Sequence, residues 1–77
     1  MTVKKMYVLY DFRALKNTDD ATVYEADENL KELKKSAVDY GGGVIYSYDI
    51  EVIKSDDGNI SQNLINEKFE CSIEGEE

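Results

Sequence analysis

The sequence predicts an α+β domain in which a mostly antiparallel sheet of four strands, or five if the last divides, carries one helix on one face. Three observations support that reading. Apolar residues alternate at period two through residues 3–12 and 44–53, residues 27–40 instead repeat at three and four, and Gly41-Gly42-Gly43 separates the helical pattern from the next alternation. The order read along the chain is β-β-α-β-β. With 77 residues the chain suits one domain, residues 1–77, near the lower size limit for a single apolar core. Residues 73–77 read as a frayed tail.

Val3 to Phe12 places Met6, Val8, Tyr10 and Phe12 on one face and Tyr7 and Leu9 on the other, as a central strand covered on both sides would. Arg13 to Asp20 is a polar connection with a turn at Asn17-Thr18-Asp19-Asp20, and Ala21 to Ala26 is a second strand containing Thr22, Val23 and Tyr24. Asp27 is the candidate N-cap. Leu30, Leu33, Ala37 and Tyr40, widened by Val38, form the apolar stripe of the helix, and Gly41 supplies the left-handed residue that stops it. Val44, Tyr46, Tyr48, Ile50 and Val52 then alternate with Ile45, Ser47, Asp49, Glu51 and Ile53, a long strand with one buried and one mostly wet face. The other face of the sheet, with Tyr7, Leu9 and Ile45 among polar groups, is expected to be solvated or to self-associate. Asp57-Gly58 marks a hairpin turn. Beyond it the apolar parity changes at Leu64-Ile65, where a β-bulge is expected.

Composition excludes several functions. Histidine is absent, which removes the usual general base and metal ligand, and Cys71 is the only cysteine, so no intrachain disulfide can form. Cys71 alternates with Phe69 and Ile73 and reads as a small buried hydrophobe. No apolar run approaches the ~18 residues of a membrane span, nor does the N-terminus resemble a secretion signal, so the expected location is the cytoplasm. The triple glycine follows a helix rather than preceding one, so it offers carbonyls and a negative dipole end, not a phosphate cradle. Asp56-Asp57-Gly58-Asn59 lacks the oxygen-ligand spacing of a calcium loop and the later glutamate, since position 64 is Leu. No cofactor, metal or catalytic group is expected, and the chain reads as a non-enzyme.

Nine basic and 17 acidic residues give a net charge of −8, distributed unevenly. Residues 1–16 hold four cations and one anion; the rest hold five cations and sixteen anions. Direct nucleic-acid binding and attachment to an anionic membrane require the opposite sign. A protein with a basic surface is the partner such a field attracts, although acidic excess also serves solubility. Strand neighbours i and i+2 lie ~6.6–6.8 Å apart, a suitable pitch for imitating successive backbone phosphates. Asp49 and Glu51 on one strand, with Glu25 and Asp27 on another, are the candidate acidic contacts. Tyr7 and Tyr24 are the candidate aromatic anchors, while Tyr10, Tyr46 and Tyr48 are expected in the core with their hydroxyls at the rim. The competing use of the charged strand face is protection against edge pairing.

Tyr24-Glu25-Ala26-Asp27-Glu28-Asn29-Leu30, Tyr40-Gly41-Gly42-Gly43-Val44-Ile45-Tyr46, Asp57-Gly58-Asn59 and Asn66-Glu67-Lys68-Phe69 together resemble segments of small acidic phage and prophage proteins, a class that includes anti-CRISPR and anti-restriction inhibitors. The resemblance spans residues 21–69 and carries no diagnostic motif. It implies a phage-encoded, non-enzymatic inhibitor acting in the host cytoplasm, which binds a host nuclease or CRISPR effector complex, often over its nucleic-acid-binding surface; the carboxylate pitch adds the expectation of a DNA mimic. The alternative expectation is a non-catalytic accessory or structural domain, a homodimer through the open sheet face.

Overall fold

The computed structural model of the chain describes residues 4–74. The alternating Tyr-, Val- and Ile-rich segments form four strands: β1 (Lys5–Tyr10), β2 (Val23–Asp27), β3 (Gly42–Lys54) and β4 (Ile60–Glu74), with helix α1 (Leu30–Asp39) between β2 and β3. All neighbours are antiparallel, and their order across the sheet is β2-β1-β3-β4. The domain is therefore α+β. Along the chain, two 3-10 turns at Phe12–Leu15 and Thr18–Asp20 interrupt the plain β-β-α-β-β reading, and the order across the sheet is not the order along the chain. Phe12 leaves the strand because Asp11 accepts hydrogen bonds from the Arg13 amide at 3.0 Å and the Arg13 guanidinium at 2.7 Å, folding the chain into the first turn. Val3 lies outside the described residues. The second strand begins two residues later than expected, and β4 is continuous rather than divided.

Helix α1 starts at Asn29, whose side chain accepts from the Glu32 amide at 3.2 Å. Asp27, the expected cap, instead accepts from the Asn29 amide at 2.8 Å and so shapes the turn before the helix. Gly41, at φ +87°, ends it. Leu33 and Ala37 are completely buried against Leu9 and Ile45, with Tyr7, Leu30, Cys71 and Ile73 packed around them. The helix thus covers the face expected to be open, which corrects the Tyr7–Leu9–Ile45 surface as a site of self-association. Val38 and Tyr40 stay exposed.

The opposite face explains the choice. Cross-strand partners share a face, and there Val8, Val44, Tyr46 and Tyr48 lie beneath the first 3-10 turn, whose Ala14 is buried and whose Ala14 carbonyl accepts from the Tyr46 hydroxyl at 3.0 Å. Tyrosine hydroxyls require acceptors when buried. A helix that uses its carbonyls internally and presents Leu and Ala supplies none, whereas a short turn has carbonyls to spare.

β3 does not keep one dry and one wet face along its length. Its first half is buried on both sides, and from Glu51 onward both sides are exposed, because β1 ends opposite Asp49. Residues beyond Ile50 form a two-stranded ribbon with β4, and the described residues extend 52 × 24 × 17 Å. The Ser55–Asn59 turn closes it: the Ser55 amide donates to the Asn59 carbonyl at 2.9 Å, and the Ser55 hydroxyl holds the Asp57 carboxyl below its usual pKa. The bulges fall after the expected Leu64-Ile65 step, between the partners of Ser47 and Asp49 and between those of Ile45 and Tyr46. Asn66, at φ +57°, occupies the first, since Asn tolerates the left-handed region better than its neighbours would. Ile73 and Glu74, expected in a frayed tail, pair with Gly43 and Gly42; the remainder of that tail is outside the described residues.

Candidate functional site

Tyr7, Glu25, Asp27, Asp49 and Glu51 share the helix-bearing face of the sheet, as the register shows. Leu9 pairs with both Glu25 and Ile45, Tyr7 with both Asp27 and Ser47, and Lys5 with Asp49. β2 and β3 therefore run parallel to each other on either side of β1. Along their common direction Glu25, Asp27, Asp49 and Glu51 occupy four consecutive same-face rows, each ~6.7 Å beyond the last. The first pair stands on β2 and the second on β3, about 10 Å to the side by strand spacing. The sequence places each pair on one strand; the alignment of the two pairs into one staircase comes from the topology.

The members of this staircase differ in freedom. Glu25 and Asp27 are half-buried beside the helix, and Asp27 is committed to the turn into α1. Asp49 is half-buried and accepts from the Asn66 side-chain amide at 2.9 Å, so the bulge in β4 orients it. Glu51 is fully on the surface of the ribbon. Glu32 adds a carboxylate in the first turn of α1, in an exposed pair with Lys35 at 3.7 Å. Lys5, directly across from Asp49, dilutes the acidic field at that row. The Asn66 contribution escaped sequence reasoning, although the parity change beside it was visible.

The two candidate anchors separate. Tyr7 is half-buried and packs against the core, which corrects its reading as an exposed contact. Tyr24 is 37% exposed and stacks on Tyr40, ring centroids 5.0 Å apart and 12° from parallel, while the Tyr40 hydroxyl donates to the Tyr24 carbonyl at 3.3 Å. A stacked, hydrogen-bonded pair is ordered before any partner arrives, so it loses little side-chain entropy on contact.

A polar chain that the sequence did not reveal crosses the opposite face. The Tyr10 hydroxyl is 2.6 Å from that of Tyr48, which donates to Glu67 Oε1 at 2.7 Å, and Thr18 Oγ1 donates to the same oxygen at 3.0 Å. The tyrosines expected to reach the rim thus spend their hydroxyls internally, tying the second 3-10 turn to β4. Burial, reinforced by these bonds, raises the Tyr48 pKa far above its ordinary value. The sign follows: stability from the neutral phenol is fully present below the unfolded pKa of ~10 and is lost as pH rises beyond it. Tyr48→Phe is expected to cost about 1–2 kcal/mol at neutral pH and to flatten the alkaline decline, as measured by urea titrations at pH 7 and above 10.

Among the described residues, no group of three or more His, Cys, Asp or Glu side chains is placed to hold a metal ion, and no helix is long and apolar enough to cross a membrane. No family model, curated protein or solved structure matches the chain.

Proposed function

We propose that this chain is a non-catalytic acidic binding protein that docks on a basic protein surface, acting as a phage-encoded, anti-CRISPR-like inhibitor of a host nuclease or CRISPR effector in the cytoplasm. The observation that supports this best is the carboxylate staircase. Two acidic pairs rise along one sheet face, ~6.7 Å apart within each pair and offset by about 10 Å between the strands, in a chain whose net charge is −8. Such a row can occupy successive phosphate positions in a basic groove, and the Tyr24–Tyr40 stack supplies a neighbouring apolar contact. Glu51, exposed on the ribbon, and Asp49, oriented by the Asn66 amide, are the leading contacts, because Glu25 and Asp27 are half-buried beside the helix and Asp27 shapes the turn into α1.

Electrostatic docking weakens with salt, since exposed charges are screened beyond roughly 8–10 Å. Capture from a host lysate at low and at high salt tests the reading. The expected catch is a nucleic-acid-handling protein, retained at low salt, released at high salt and displaced by nucleic acid. Asp49→Asn and Glu51→Gln should each weaken that complex by about 0.5–1 kcal/mol, a factor of roughly 2–5 in Kd. Recovery of no such protein at low salt, or binding indifferent to both substitutions, would refute the proposal.

A further inference from the structure

The two longest stretches without a charged residue are 40–48 and 58–66, nine residues each. The first runs from the end of α1 through the buried half of β3. The second is exposed at every residue and covers the end of the turn and the hairpin end of β4, one of the two edge strands of the sheet. Edge strands ordinarily carry charges, prolines or bulges that prevent further pairing. β4 has such protection only in its upper part, where the two bulges lie among Glu67, Lys68, Glu70 and Glu74. Ile60 to Ile65 is regular and uncharged, contains no proline, and carries three apolar side chains, Ile60, Leu64 and Ile65. This ribbon also lacks a third strand, and two strands alone are marginal in water.

We propose that this edge pairs with the same edge of a second copy, β4 against β4, antiparallel about Gln62. In that register Ile60 lies opposite Leu64 of the partner subunit, Ser61 opposite Asn63 of the partner subunit, and Gln62 opposite its own symmetry mate. Both apolar residues of the outer face gain apolar neighbours twice over, which makes the segment self-complementary. Charge selects the same partner segment. Two chains of net charge −8 repel, yet the paired segments are neutral. Glu51, opposite Asn63 on β3, comes no nearer to its symmetry mate than three strand spacings, about 14 Å and beyond the screening length. The two-fold axis stands perpendicular to the sheet, so the product is one eight-stranded sheet with both helices on one side. This contact is independent of the acidic staircase and leaves that face uncovered.

The paired edge is small beside the ~800 Å² per partner of a standard interface, so association depends on concentration. Sedimentation equilibrium over a concentration series is the test. The expected result is a monomer–dimer equilibrium that Gln62→Lys, placing like charges directly opposite each other, weakens by about two- to fivefold without changing the far-UV circular dichroism. A Cys71→Ser chain carrying Gln62→Cys should oxidise to a covalent dimer. The same chain carrying Ser61→Cys should not, because its two sulfurs fall outside bridging range. A monomer at every concentration, a dimer indifferent to Gln62→Lys, or equal cross-linking at both positions would each overturn the proposal.

Discussion

Gly43→Ala should destabilise the protein by about 3 kcal/mol, among the largest losses available from adding one methyl group. A Cβ at this position would sit 2.5 Å from the Tyr10 carbonyl oxygen and 2.8 Å from Leu9 Cδ1. Neither neighbour can yield easily. The carbonyl belongs to the backbone of a central strand, and Leu9 is wholly enclosed by α1 and β3. A domain of 77 residues has a total stability on the order of 4–12 kcal/mol. The substitution therefore removes a large fraction of it, lowering Tm by roughly 12–24 °C. Gly41→Ala provides the contrast. Its added Cβ meets nothing within 4 Å, and the cost comes only from φ +87°, about 1–2 kcal/mol. Thermal melts of the two variants separate crowding from backbone strain, and a Gly43→Ala melt no lower than that of Gly41→Ala would disprove the close packing of β1 on β3.

The three adjacent glycines show what was legible in the sequence. Their position after an apolar stripe is enough to identify a helix stop, because a left-handed residue is needed there and glycine is the cheapest. That Gly43 also admits β1 depends on which strand lies beside β3, information that period-two alternation does not contain. The same limit explains the reversed faces. Met6–Val8–Tyr10 and Tyr7–Leu9 are both apolar enough to be covered, and alternation cannot say which receives the helix. The deciding chemistry was present in Tyr10, Tyr46 and Tyr48, whose hydroxyls need acceptors that a Leu/Ala stripe lacks and the Ala14 carbonyl and Glu67 provide. The acidic site was legible residue by residue, as i,i+2 pairs on two strands. Its continuity was not, because aligning Asp27 with Ser47 requires β1 to lie between β2 and β3.

Leu9→Ala should cost about 2–5 kcal/mol, and its size decides which face forms the core. Leu9 is completely buried and touches the group formed by Leu33, Ala37 and Ile45, so truncation removes apolar contact and leaves a cavity walled by a helix and two strands. On a solvated face the same truncation would cost no more than about 0.5 kcal/mol, the value expected for Leu15→Ala on the exposed first 3-10 turn. Leu9 and Leu33 belong to one cluster, so the double variant should depart from additivity by about 0.5–3 kcal/mol. Urea titrations of the single and double variants supply all four values. A Leu9→Ala loss no larger than that of Leu15→Ala would move the helix to the other side of the sheet. It would also remove the staircase from the surface beside α1, because Glu25, Asp27, Asp49 and Glu51 share their face with Leu9 through the same register.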